Sequence, residues 1–319
     1  MKRRLVTLAV AGLCGAAHML GAQDPRIADS LFRSGVLERA ESEYYAAARV
    51  RPRDPHARWA LGRYLIARGA TRIGVTLIEE AVQFGFDRRN AAMTLAPLYM
   101  DLGEYQALDR LPMSPLSASQ KAAVRWLSEH PSRTIASDST VLVAFARSTI
   151  NTYLGTALIR INGQPVRASI LARAGCGIRV SDTSAIATKL RRYPPDNGGS
   201  TTVTHSIADS IGFAKMTVTN MAVEIAPLSD ARAVICLGAL ARYVPTFDPR
   251  ALLITLRLNG NAPAPGPRTA AVPLVILDGR YELAERNPWL PLDEPPGTSF
   301  LTGRRWTFDA KHGQAIIEP

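Results

Sequence analysis

Pro131 separates two hydrophobic patterns that one kind of element cannot satisfy. Before it, small and apolar residues recur in phase every 34 residues. Gly35, Gly69 and Gly103 form one column, Ala28, Gly62 and Ala96 a second, and Leu31, Leu65 and Tyr99 a third. Tyr44/Ile78 and Ala47/Ala81 keep the same phase. A fixed period of that length marks a supersecondary unit that stacks on its own copies. After Pro131 the apolar residues gather into short runs with β-type composition, Thr140–Arg147, Thr156–Ile161 and Val166–Leu171 first among them, split by turn residues. The chain is therefore expected to be an α+β multidomain protein, helical first and β-rich after.

The 34-residue unit resembles the tetratricopeptide repeat, a helix–turn–helix motif. The match covers residues 24–112 as two repeats and a shortened third. The resemblance places Gly35, Gly69 and Gly103 at the turns between paired helices, where a tight bend suits glycine. Pro52 closes the first repeat. Gly74 and Leu108 stand where the pattern has alanine, and Phe86 where it has proline. Pro112 and Pro115 stop the third unit. Ser117–His130 then reads as one more helix, with a serine cap and with Ala123, Trp126 and Leu127 on one face. It is expected to cap the array, so the helical region runs over 24–130. An array of this kind implies a concave surface for a peptide or a partner protein, or else a plain spacer.

The N-terminus carries Lys2, Arg3 and Arg4, an apolar run from Leu5 to Leu20, then Gly21-Ala22. This is the layout of a secretory signal over residues 1–22, and it predicts an exported protein, periplasmic or secreted. No later segment is long and apolar enough to span a bilayer, so no integral membrane segment is expected once the signal is cleaved. The formal charge of +11 becomes +8 without those three basic residues. The remaining excess is arginine scattered along the chain rather than clustered, which argues against a nucleic-acid partner. Cys176 and Cys236 remain, as one bridge or as two buried thiols.

Residues 156–181 hold the chain's most specific pattern. Asn162-Gly163 makes a turn, Pro165-Val166-Arg167 and Ile170-Leu171 follow on a strand, and Ala172-Arg173-Ala174 comes next. The order downstream is a short helix from Asp182-Thr183-Ser184, a flexible turn containing Gly198-Gly199, and strands around Ser210-Ile211-Gly212 and Asn220–Val223. Ile235-Cys236-Leu237-Gly238 and Thr246-Phe247-Asp248 complete it. This order resembles the retropepsin-like aspartic proteases over residues 138–258, and the resemblance implies an all-β closed-barrel lobe. In that family a strand leads into D-T-G, a glycine-rich flap follows, and an I-L-G segment packs beside the D-T-G loop.

The chemistry of that family needs two carboxylates that share one proton, one acting as base on a water and the other as acid. Here Ala172, Arg173 and Ala174 stand at the D-T-G position. A methyl replaces the carboxylate, a cation the locking threonine and an alanine the glycine. The resemblance thus implies a degenerate, inactive site. Arg173, Gly198, Gly199 and Gly238 are the residues it would place against a bound peptide. Asp182 and Thr183 are the alternative catalytic pair under a shifted alignment, although they also match the polar start of the following helix. Asp293 is a weaker second carboxylate. The resemblance further implies that Cys176 and Cys236 are close enough to bond.

Residues 259–319 read as a linker (Asn259 to Pro267), a strand over Val272–Leu277 and a hairpin over Trp306–Ile317. Thr307-Phe308-Asp309 repeats Thr246-Phe247-Asp248. At about sixty residues the segment is short for a second lobe, so it reads as a packed extension with a chance match. His56, His130, His205 and His312 lack metal-ligand spacing, so neither metal nor cofactor is expected. Three functions follow. The first is an exported peptide- or protein-binding protein on an inactive protease-like lobe. The second is an active aspartic endopeptidase using Asp182 or a homodimer partner's carboxylate. The third is an envelope scaffold acting through its repeats.

Overall fold

The structure, a computed structural model, describes residues 25–34, 36–68, 70–148, 153–173, 177–192, 203–229, 231–264, 269–277, 280–283 and 303–318. The chain forms two compact units. One holds residues up to 66 together with 72–86, and the other holds 67–71 and all residues from Asp87 onward.

The first unit is helical: α1 (Pro25–Arg33), α2 (Leu37–Val50), α3 (Pro55–Ala67) and α4 (Thr71–Gln83). Pro55 suits the first turn of α3, where an N–H would have no intrahelical partner. Asp54 accepts the His56 amide there at 2.9 Å. The small-residue columns of the sequence are interior: Ala28, Ala47, Ile78 and Ala81 are almost fully buried. Gly62 and Gly74 mark the tightest crossing. A Cβ on Gly74 would lie 2.5 Å from the Gly62 carbonyl, and one on Gly62 would lie 2.8 Å from the Gly74 carbonyl. Gly74 therefore departs from the repeat's usual alanine because no methyl fits between α3 and α4.

The second unit begins with α5 (Arg88–Leu102), α6 (Tyr105–Asp109) and α7 (Ala118–Glu129). Asp87 caps α5 by accepting the Asn90 amide, and Gly103 ends it at φ 71°. The helices α2, α4 and α6 begin at Leu37, Thr71 and Tyr105, thirty-four residues apart each time. Ser117 and Gln120 form a reciprocal capping box on α7. Ala123, Val124 and Leu127 bury one face of this helix, which packs on α6 and on two strands, Thr204–Phe213 and Met216–Ile225. Trp126 is only half-buried and stacks on His130 at 4.2 Å. The helix expected to close the array thus also belongs to the β-rich body, and the break foreseen after residue 130 falls inside this second unit.

The strands are β1 (Arg133–Ala136), β2 (Thr140–Ala146), β3 (Tyr153–Ile161), β4 (Gln164–Leu171), β5 (Ile178–Val180), β6 (Arg191–Arg192), β7 (Thr204–Phe213), β8 (Met216–Ile225) and β9 (Ala233–Cys236). Then come β10 (Thr246–Asp248), β11 (Leu253–Arg257), β12 (Ala270–Leu277), β13 (Arg280–Leu283), β14 (Trp306–Asp309) and β15 (Gln314–Ile317). Two short helices interrupt them, α8 (Asp182–Ala187) and α9 (Leu237–Leu240). Six strands close on themselves in the order β3-β4-β9-β5-β8-β7, with β7 returning to β3. The expected closed barrel is therefore present. Ile159, Ile161, Ile170, Ile178, Val180, Ile211 and Val218 fill its interior. The turn at its first hairpin uses Asn162 and Gly163 at φ 49° and 80°, the positive-φ pair that a two-residue hairpin needs. The Asn162 amide group also donates to the Thr188 carbonyl and accepts from the Ser210 amide, tying the hairpin to α8 and β7. β1, which pairs with the edge of β8, had no sequence signal because its residues are largely exposed.

A second run of strands continues from β2 through β11, β10, β14, β15 and β12 to β13. Here the repeated Thr-Phe-Asp is more than a chance match. β10 and β14 pair antiparallel with Thr246 opposite Thr307, and the two buried hydroxyls lie 2.7 Å apart. Each strand opens a hairpin of the same register, Thr246↔Thr255 and Thr307↔Ile316. Asp248 accepts the Ala251 amide in the first turn and Asp309 the His312 amide in the second. Leu252 at φ 55° in one turn matches Gly313 at φ 60° in the other. The flanking strands match too, since β2 pairs with β11 as β12 pairs with β15.

Candidate functional site

The site is built where the chain crosses itself. β4 and β9 run parallel, and β9 lies between β4 and β5. The described ends of the β4–β5 link therefore lie on either side of the end of β9. Leu171 pairs with Cys236, and Ile178 with Ile235, so the described ends of the link, Ala172-Arg173 and Gly177, lie beside Cys236-Leu237-Gly238. Two backbone hydrogen bonds fasten them: the Gly238 amide donates to the Arg173 carbonyl at 3.1 Å, and the Cys236 amide to the Gly177 carbonyl at 2.9 Å. Arg173 and Gly238, named from separate stretches of sequence, meet here.

Ala172 opens the loop. It is 6 % exposed and its methyl belongs to the barrel core. Arg173 is half-buried, and its Nε has no hydrogen-bond partner among the described residues. At its first two positions the loop offers a methyl and a guanidinium, and no carboxylate. Ala174 and Cys176 lie outside the described residues, as do Gly198, Gly199 and Asp293 and the signal-like residues 1–22. Cys236 is disulfide-bonded.

Asp182 sits elsewhere. It occupies the first turn of α8, and both it and Thr183 are exposed. The cap of that helix is Ser181, whose hydroxyl accepts the Ser184 amide at 3.3 Å. A carboxylate in the first turn favours the positive end of the helix dipole, which accounts for Asp182 without chemistry. Among the described residues no group of three His, Cys, Asp or Glu side chains could hold a metal, and no described helix is long and apolar enough to cross a membrane. Asp309 and His312 form a close pair, 2.7 Å from Oδ2 to Nδ1, but the same carboxylate also accepts from Gln314 and from the His312 amide. It is a turn cap.

A second cluster had no sequence signal. Arg147, Arg167 and Arg232 surround Ser169 on the outer face of β3 and β4. Arg147 follows the end of β2, Arg167 lies within β4 and Arg232 precedes β9, and the pairings of β2 with β3, β3 with β4 and β4 with β9 unite them. The one local hint is that exposed Arg167 alternates with buried Val166 and Ala168.

No family model and no curated protein matches the chain. Among solved structures the chain is similar to a retropepsin-like aspartic protease from Rickettsia conorii, at 13% identity over 39% of this chain and 90% of that one, with a TM-score of 0.26. A likeness of that strength assigns no role to any residue here.

Proposed function

We propose that the chain is an exported peptide- or protein-binding protein built on a catalytically inactive aspartyl protease-like domain. One observation carries this reading: the loop that follows β4 opens with Ala172, whose methyl is buried in the barrel core, and continues with Arg173. A proton-sharing pair of carboxylates cannot be assembled from those two side chains. What remains is a loop whose ends are hydrogen-bonded to Cys236 and Gly238, with an arginine beside them. An extended peptide would be held at such a site by its backbone, with Arg173 facing a carbonyl or a carboxylate. In the same reading Cys176 is the partner of Cys236, Gly198 and Gly199 shape the rim, and the helices offer a further binding face of the tetratricopeptide kind.

The test is incubation of the purified chain with an unfolded protein substrate between about pH 3 and 7, the range in which carboxylate dyads work, with and without pepstatin. No cleavage is expected. Binding of an immobilised random peptide pool is expected, weakened in Arg173→Gln. Pepstatin-sensitive cleavage that disappears in Asp182→Asn would overturn the proposal in favour of an endopeptidase. Partner capture that survives deletion of residues 138–319 would favour the scaffold.

A further inference from the structure

We infer that the outer face of β3 and β4 is a binding site for an extended acidic peptide with apolar side chains between its carboxylates. The face carries an open groove of about 740 Å³, bounded by Arg147, Tyr153, Leu158, Arg167, Ser169 and Arg232. That volume lies within the range of ordinary ligand sites. The site is separate from the Ala172–Arg173 crossing and does not depend on the reading given to that loop.

Three observations converge on the ligand's chemistry. First, the parallel register sets Ala233 beside Ala168, so Arg232 and Arg167 come forward next to each other. Both are exposed, and neither guanidinium has a hydrogen-bond or ion-pair partner among the described residues. No described acidic side chain lines the groove. Two like charges held together without a counter-ion among the described residues favour an incoming carboxylate, and an arginine can take it through two parallel bonds. Second, Arg147 is already oriented, because its Nε and Nη2 donate to the Pro249 carbonyl at 3.2 and 3.0 Å. Third, Ser169 borders the groove, and its hydroxyl has no partner among the described residues, so it can donate to or accept from a ligand there.

The apolar part of the groove separates a peptide from a bare anion. Leu158 is 62 % exposed in the middle of β3, and Tyr153 lies on the same side. An extended peptide sends alternate side chains to the same face. Carboxylates on Arg167 and Arg232 would therefore alternate with an apolar side chain over Leu158. A free phosphate or a nucleic-acid backbone would leave Leu158 uncovered.

The experiment is fluorescence anisotropy with the full chain and two labelled hexapeptides, one alternating aspartate with leucine and the other asparagine with leucine. The acidic peptide should bind about tenfold or more tightly than the neutral one, the scale of a lost charge-assisted pair. The Arg167→Gln, Arg232→Gln double variant should lose that advantage, and Leu158→Asp should lose binding of both peptides. Lys215→Gln, on the exposed β7–β8 turn, should bind as the parent does. Circular dichroism of each variant should match the parent, and all four sites are exposed. Equal affinity for the two peptides, or full affinity in the double variant, would overturn the inference. So would tighter binding of an oligonucleotide or of phosphatidylglycerol vesicles through the same arginines, because the groove would then be reading charge alone.

Discussion

Two residues show how a side chain's surroundings decide its protonation and its tolerance of change. Tyr44 donates to Asp29 from within the helical unit, and burial, then that carboxylate, push its phenol well above the ordinary value. A raised folded-state pKa gives stability that is complete below the unfolded value and declines as pH rises beyond it. The parent should therefore lose unfolding free energy between about pH 9 and 11, across the ordinary phenol value near 10. Tyr44→Phe should lose less over the same window, as read by urea titration at each pH. Parallel losses in both proteins would refute the assignment. Ala172 poses the opposite case. Its methyl lies in the barrel core, so Ala172→Asp places a carboxylate in an apolar site. We expect a loss of about 2–4 kcal/mol in denaturant unfolding and no gain of proteolysis. A variant as stable as the parent that cleaves substrate would show the loop to be a dormant active site.

At the scale of elements, two glycines are required for different reasons, one by a close approach and one by its backbone conformation. Gly155 on β3 faces the ring of Phe145 on β2, and a Cβ there would lie 1.9 Å from the ring. Phe145 in turn meets Phe247, which stacks on Trp306 at 4.7 Å. Gly155 therefore anchors an aromatic column that runs from the barrel into the second run of strands. Gly155→Ala should cost about 2–3 kcal/mol by overpacking, and Phe145→Leu should recover part of it. Gly163 has open space around its Cα and a φ of 80°. Gly163→Ala should cost about 1 kcal/mol through backbone strain, with no recovery from Phe145→Leu. Thermal unfolding of the two singles and two doubles separates the mechanisms. Elements were also the scale most readable in advance. The strands at 140–146 and 246–248 follow the alternation of Val141, Val143 and Phe145 and the Thr-Phe-Asp turn. α7 follows the serine cap. β1 and the full length of β7 were not legible, since Ile135 is exposed and the run from Ser206 to Ala208 is buried without alternation.

For the molecule as a whole, the main consequence lies at β10. This strand would be an edge but for β14, which covers it and brings Trp306 onto Phe247. Unpaired edges invite association. Ending the chain after Leu258 should therefore leave a barrel that aggregates and unfolds less cooperatively, measured by light scattering and by calorimetry. A monodisperse fragment with the parent's transition would show that residues 303–318 are dispensable to the sheet. Arg257 belongs to the same neighbourhood: burial, then Arg305, lowers its guanidinium's affinity for a proton, and it donates to Thr246 at 2.6 Å.

What the sequence determined by itself is local. The 34-residue period, the capping box, the positive-φ turn at Asn162-Gly163 and the absence of aspartate at 172 follow from residues close together along the chain. Tertiary structure decided which distant strands became neighbours. The parallel alignment of β4 with β9 holds Gly238 to Arg173 and sets Arg232 beside Arg167. The alignment of β10 with β14 turned a repeated tripeptide into a matched pair of hairpins. Such pairings are chosen by the packing of the whole core, because each strand's alternation fixes which face is buried and leaves its partner open.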